Sequence, residues 1–143
     1  MELNEYQEKA MTTCLPSSNN FSYMILNLIG ELGEFSSKIG KAIRKNKLTI
    51  EENELRFNND GWYQEALAEH PHEGDEALAV IVERMKKEFM DDLKKEGGDI
   101  QWQISGLFSV MGWKLEEDVA QPNLAKLASR KQRGKIDGNG DNR

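Results

Sequence analysis

The sequence predicts an all-α protein, and three observations carry that expectation. Prolines occur only at positions 16, 71 and 122, the apolar residues between them recur every three or four positions, and this spacing stands in place of the strict alternation of half-buried strands. The first helix is expected over residues 2–13, ending before the stretch CLPSSNN, whose Ser, Asn and Pro suit a loop and a helix N-cap. A second helix starts near Phe21 and runs to about Lys45. In it Ile25, Leu28, Ile29, Leu32, Phe35, Ile39 and Ile43 form an expected buried stripe, flanked by Glu31, Glu34, Lys38 and Lys41. Residues 46–75 are turn-rich and polar, an expected excursion from the core with a short helix around 63–69. From Glu76 the helical pattern resumes as far as Trp113. One helix of that length far exceeds the usual globular one, so a bend or break is expected near Gly97 and Gly98. A turn at 118–122 follows, and Pro122 suits the first turn of a last helix over 123–133. The tail GKIDGNGDNR is glycine-rich and non-helical by itself.

With 143 residues the chain is the size of one domain, long enough to bury a core without disulfides or a structural metal. Its net charge of −6 offers no general attraction to nucleic acid or to an anionic membrane, so neither is expected as a partner. Cys14 is the single cysteine and cannot form an internal disulfide; it reads as a small buried apolar residue. No apolar run approaches the roughly 20 residues of a membrane span. The N-terminal MELNEYQEKAM is acidic and polar where a signal peptide is basic and then apolar. A soluble, cytoplasmic protein is expected.

Two stretches break the pattern of ordinary helices. In IGELGEF, Glu31 and Glu34 stand three apart beside Gly30 and Gly33, and in KEGGDIQW, Glu96 and Asp99 enclose Gly97 and Gly98. Each interior glycine costs about 1 kcal/mol of helix propensity relative to alanine. Acidic side chains at i and i+3 share a helical face, where like charges repel. If the two helices pack antiparallel, these four carboxylates converge at one level, as in metal-binding bundles, with the glycines permitting close helix approach. Two unit charges ~4 Å apart repel by about 4 kcal/mol at an effective dielectric near 20, so such a cluster calls for a cation. All-oxygen ligation favours Mg²⁺ or Mn²⁺ over zinc, and Mg²⁺ commonly shares its shell with substrate phosphates. The competing reading is a solvated helix face, since 25 acidic residues produce such pairs by chance; Glu73/Glu76 and Glu88/Asp91 are further examples. Interior glycine and an adjoining apolar stripe distinguish the first two pairs, with Glu88/Asp91 held in reserve.

GELGEF resembles the E-x-x-E helix, and EGGDIQW the E-x-x-D helix, of the MazG-like all-α nucleoside triphosphate pyrophosphohydrolases. NLAKLASRKQRGKIDGNGDNR resembles that family's Asn-x-x-Lys-Leu-x-x-Arg tail with its final Gly-Asp-Asn-Arg segment. With LNEYQEKAM, the similarity covers residues 3–45 and 94–143. The resemblance implies a single MazG-like domain over 1–143, a helical bundle completed as a homo-oligomer, dimer or tetramer. It implies Mg²⁺-dependent cleavage of a nucleoside triphosphate between the α- and β-phosphates, giving a monophosphate and pyrophosphate. Carried over by position, Glu31, Glu34, Glu96 and Asp99 become catalytic metal ligands, one of them also orienting the attacking water. Asn123, Lys126, Arg130 and Arg133 become the substrate-binding stripe, at spacings of three, four and three, offsetting the charge of the triphosphate. The connection between the two acidic motifs is longer than in the family, so residues 46–93 read as an insertion between the metal-ligand helices.

Two alternatives stand beside this reading. The same chemistry serves a specialised nucleotide such as phosphoribosyl-ATP or dUTP, or the chain is a non-catalytic helical interaction module with solvated acid pairs. Preferred base and sugar, oligomer size, the number of metal ions and the role of the insertion are open at this level. His70 and His72 flank Pro71 in a stretch that reads as a polar surface loop, while Trp102 and Trp113 fall in an apolar helical run and read as core.

Overall fold

The computed structural model describes residues 1–134. The architecture is all-α with one small hairpin: α1 (Leu3–Met11), α2 (Phe21–Arg44), β1 (Leu48–Glu51), β2 (Glu54–Phe57), α3 (Asn59–Glu69), α4 (Asp75–Val110), a single π-helical turn (Leu115–Ala120) and α5 (Gln121–Gln132). No described helix is long and apolar enough to cross a membrane. The glycine-rich tail from 135 onward, with its Gly-Asp-Asn-Arg segment, lies outside the described residues. Contacts group the chain into two compact units, one of Met1–Leu28 with the chain from Gln101 onward, the other of Ile29–Ile100.

In the first unit Gln7 is the polar hub. Its amide nitrogen donates to the Trp113 carbonyl at 2.9 Å and to Ser109 Oγ at 3.0 Å, while its Oε1 accepts from the Leu115 N–H at 2.9 Å. A buried glutamine with both ends satisfied fixes where α1 meets the chain leaving α4. Gly106 serves close packing here: a Cβ at that position would come within 2.4 Å of Met24 Sδ, and Met24 is fully buried. Trp102 is half-buried, donating from Nε1 to the Ala10 carbonyl and Thr13 Oγ1. Trp113 is no core residue. It is 45% exposed and lies against Phe108 at 5.7 Å. Cys14 is half-buried rather than buried.

The second unit departs most from expectation. Residues 46–75, expected as an excursion, instead supply its core. Trp62 and Ala66 of α3 cluster with Leu78 and Val82 of α4, and Tyr63, Ile81, Met85 and Phe89 pack against them. The hairpin pairs Leu48 with Phe57 and Glu51 with Glu54, and its two-residue turn places Glu52 and Asn53 at φ of 52° and 65°, the left-handed pair that matches strand twist. Four-residue strands give only two cycles of alternation, too few to stand out from the neighbouring turn signals. α2 ends where Asn46 turns left-handed, φ 57°, and the Lys47 N–H bonds back to the Ala42 carbonyl at 2.8 Å. Asn58 caps α3 by accepting from the Asp60 N–H at 3.2 Å. Gly61 then passes so close to the α2 exit that a Cβ would meet the Asn46 carbonyl oxygen at 2.1 Å.

Two further expectations are corrected. α4 is uninterrupted through Gly97 and Gly98, because a glycine weakens a helix without removing a backbone donor, unlike proline. The α2 stripe is only partly buried: Ile25, Leu28, Phe35 and Ile39 are half-buried, but Ile29, Leu32 and Ile43 are exposed. Apolar residues cover more of the α2 circumference than the described residues pack against.

Trp62→Ala is expected to destabilise the protein by about 3–5 kcal/mol, because it removes the largest buried side chain of this core and leaves a cavity. Urea denaturation measures the loss; a change below about 1 kcal/mol contradicts the placement of the core.

Candidate metal site

α2 and α4 each carry one of the two glycine-bearing acid pairs within the Ile29–Ile100 unit, and the fold brings three of these four carboxylates together. Glu31 on α2 and Glu96 and Asp99 on α4 offer carboxylate oxygens that all lie within 4.8 Å of one another. Glu31 is half-buried, the Glu96 side chain is 12% exposed, and Asp99 is exposed, so the group opens to solvent on one side. Helix periodicity explains the α4 contribution: Glu96 and Asp99, one turn apart, share a face.

Glu34 falls outside this close group. It is exposed, and it lines a cavity of about 340 Å³ with Gly30, Gly33, Ser37, Lys38 and Lys41. The glycines take a role that differs from close helix approach: a Cβ at Gly30, Gly33, Gly97 or Gly98 would meet nothing within 4 Å among the described residues. At Gly30 and Gly33 the missing side chains leave open volume beside the carboxylates.

Lys38, one of the residues flanking the α2 stripe, joins this group. Its ammonium sits 2.6 Å from Glu96 Oε1, and this hydrogen bond holds the lysine above its ordinary pKa against the opposing effect of desolvation. The signal was legible as spacing, since position 38 follows Glu34 by one turn and Glu31 by two. One ammonium against three carboxylates leaves a surplus of negative charge. Glu31 registers it: desolvation first, then the charges of Asp99, Glu34 and Glu96, hold its carboxyl above the usual carboxylate range.

The donor set fits a hard divalent cation. Carboxylate oxygens on one Mg²⁺ at about 2.0–2.1 Å lie roughly 3–4 Å apart, a spacing close to the 4.8 Å within which Glu31, Glu96 and Asp99 fall, and a cluster of carboxylates without sulfur or imidazole disfavours zinc. His70 and His72 belong to no such group among the described residues. The reserve pair is accounted for as a solvated face: Asp91 pairs with Lys94 at 3.0 Å and Lys87 at 3.2 Å, which lower its pKa.

The expected substrate stripe lies on α5, in the other unit. Asn123 and Lys126 are exposed on the helix, Arg130 is half-buried, and Arg133 stands at the C-cap, its Nε donating to the Ser129 carbonyl at 3.3 Å. Arg130 borders a mainly apolar hollow of about 350 Å³ formed with Leu124, Leu127, Ala128 and Lys131.

Over 150 aligned residues the chain is 31% identical to the Gene 37 protein of Mycobacterium phage L5, with the whole of both chains covered. No family model matches the chain, and no solved structure matches it.

Because the folded state raises the Glu31 pKa, it binds more protons than the unfolded chain, and stability falls as pH rises through that pKa. Glu31→Gln is therefore expected to melt above wild type at pH 7 in chelator. The gap should close toward about pH 4, where the wild-type carboxyl is largely protonated; a gap independent of pH contradicts the crowding.

Proposed function

The chain belongs to the family of the Gene 37 protein of Mycobacterium phage L5, and for this member of it we propose a Mg²⁺-dependent nucleoside triphosphate pyrophosphohydrolase of the MazG-like type. One observation carries the reading: Glu31, Glu96 and Asp99 converge from two helices to within 4.8 Å, a charge density that a divalent cation neutralises. In the proposed reaction, water adds across the α–β anhydride of a nucleoside triphosphate, the α–β bridging bond breaks, and the nucleoside monophosphate and pyrophosphate leave. Bound Mg²⁺ supplies Lewis-acid polarisation of the phosphate oxygens.

The chain's own residues take the remaining roles. Glu31, Glu96 and Asp99 hold the cation. Glu34, outside the close group and exposed beside the cavity at Gly30 and Gly33, is the carboxylate best placed to orient the attacking water and accept its proton. Lys38 holds Glu96 in place through its 2.6 Å ion pair. Asn123, Lys126, Arg130 and Arg133 are assigned to the phosphates, as hydrogen-bond donors on and just beyond α5. A homo-oligomer, dimer or tetramer, belongs to the same reading. Ile29 and Leu32, 61% and 48% exposed on the helix that carries the acid pair, support it, because a second copy covers apolar surface that the described residues leave open.

A nucleotide panel with Mg²⁺, including phosphoribosyl-ATP and dUTP, tests the reaction by measuring pyrophosphate against orthophosphate. Pyrophosphate release that stops on chelation is expected, with Glu34→Gln and Asp99→Asn each lowering kcat at least a hundredfold while leaving the circular dichroism spectrum unchanged. Full activity in excess chelator, or orthophosphate as the sole product, overturns the proposal.

Gly33→Ala separates helix stability from site volume. The added methyl meets open space, so the helix gains up to about 1 kcal/mol, while the cavity beside Glu34 narrows. A higher melting temperature with a raised KM is expected. A higher melting temperature with unchanged KM shows that substrate does not occupy this cavity.

A further inference from the structure

The stripe of α2 that begins with carboxylates ends with cations. Glu31, Glu34, Lys38 and Lys41 follow one another at three- and four-residue steps along one side of the helix, rising about 1.5 Å per residue, and Lys45 stands just past its end. At its far end lies a second cavity, of about 210 Å³, walled by Lys38, Lys41, Arg44, Lys45 and Lys47. Five cations around one hollow are unexpected in a chain of net charge −6.

Their partners do not account for them all. Lys38 pairs with Glu96, and Lys45 and Lys47 share the single carboxylate of Glu65. Lys41 and Arg44 make no ion pair among the described residues. Asp92, the one acid on the wall, is already held by Lys95 at 2.8 Å. The negative end of the α2 dipole favours cations in its last turn, which explains basic residues at 41 and 44 but not the convergence of Lys47 from beyond the helix. Lys47 is buried, with its ammonium 4.2 Å from the Trp62 ring centre. Burial lowers its pKa and the charge of Lys45 lowers it further, so an anion in the cavity relieves both effects. Ala42 and Phe89 complete the wall with apolar surface.

Lys38 and Lys41 line both this cavity and the one beside Glu34. The two hollows are therefore neighbours within the same unit, one bordered by an acid next to the candidate metal ligands, the other bordered by five cations, of which Lys41 and Arg44 make no ion pair among the described residues. We propose that the cavity formed by Lys38, Lys41, Arg44, Lys45 and Lys47 binds the polyphosphate end of the substrate and retains it as the pyrophosphate product. The proposal rests on the hydrolase reading and deepens it, since the phosphates farthest from the cluster of carboxylates need positive charge from a different source. Lys41 and Arg44 are its binding residues, and Lys38 links it to Glu96.

Inorganic pyrophosphate, titrated calorimetrically into the protein in chelator, tests the site apart from metal and turnover. Wild type is expected to bind with an affinity that falls as salt rises. Lys41→Ala combined with Arg44→Ala should weaken binding at least tenfold, and Lys41→Arg combined with Arg44→Lys should restore it to within a few-fold. The same alanine pair should weaken an α,β-methylene nucleoside triphosphate comparably and relieve product inhibition by pyrophosphate. No binding by wild type, unchanged pyrophosphate affinity in the alanine pair, or loss of pyrophosphate with full retention of the nucleotide analogue each overturns the proposal. If wild type turns over nucleotides while the alanine pair leaves pyrophosphate affinity untouched, the hydrolase reading stands and this site falls. If pyrophosphate and the analogue bind through Lys41 and Arg44 but no nucleotide is hydrolysed, the anion site stands and the hydrolase reading falls.

Discussion

Three carboxylates held within 4.8 Å of one another impose a charge constraint that the rest of the Ile29–Ile100 unit has to answer. Like charges this close repel one another, and that cost falls on the folded state alone. The unit meets it in part by the Lys38–Glu96 ion pair and by leaving Asp99 open to water. The raised pKa of Glu31 is the part left unmet. Crowding of this kind couples folding to ligand: a cation that binds only the folded arrangement adds its binding free energy to stability.

The geometry that creates the crowding depends on an apolar anchor elsewhere in the unit. Trp62 meets Phe57 of the hairpin at 6.0 Å and Phe89 of α4 at 5.5 Å, both edge to face, and its Nε1 donates to the Lys47 carbonyl at 2.8 Å. One side chain thus ties the exit of α2 to α4, with Asn46 and Gly61 allowing the backbones to touch. The acid pair on α2 lies upstream on the same rigid helix, so fixing the helix exit against α4 also fixes Glu31 against Glu96 and Asp99. Residues 46–75, which read as an excursion from the core, support the arrangement of the helices on either side of them.

Glycine has three separate uses in this chain. Gly61 and Gly106 permit contact, because a Cβ at either would collide with Asn46 or Met24. A Cβ at Gly97 or Gly98 would meet nothing within 4 Å among the described residues, and both leave α4 intact. Gly30 and Gly33 give volume beside Glu34. Propensity treats all six alike, yet only the first two are required by packing.

What the sequence determined by itself is the part of the protein governed by local periodicity. The helical class, the bounds of α2 to within a residue, proline in the first turn of α5 and the pairing of Glu96 with Asp99 on one face all follow from a 3.6-residue repeat and backbone chemistry. Three of the four acidic residues singled out for a metal do come together, because each pair needed only its own helix to be placed on one face. The rest was decided by contacts far apart in the chain. Composition marks residues 46–75 as loop, and only the burial of Trp62 and Ala66 against Leu78 and Val82 makes them core. Glu34 and Glu31 are equivalent by spacing; the direction from which α4 approaches α2 is what draws Glu31 into the cluster and leaves Glu34 at its edge. Lys38 and Lys41 read as surface lysines until that same approach sets Glu96 against the first and a cavity beside both. Which faces of two helices meet is a property of the packed pair, and no periodicity within either one encodes it.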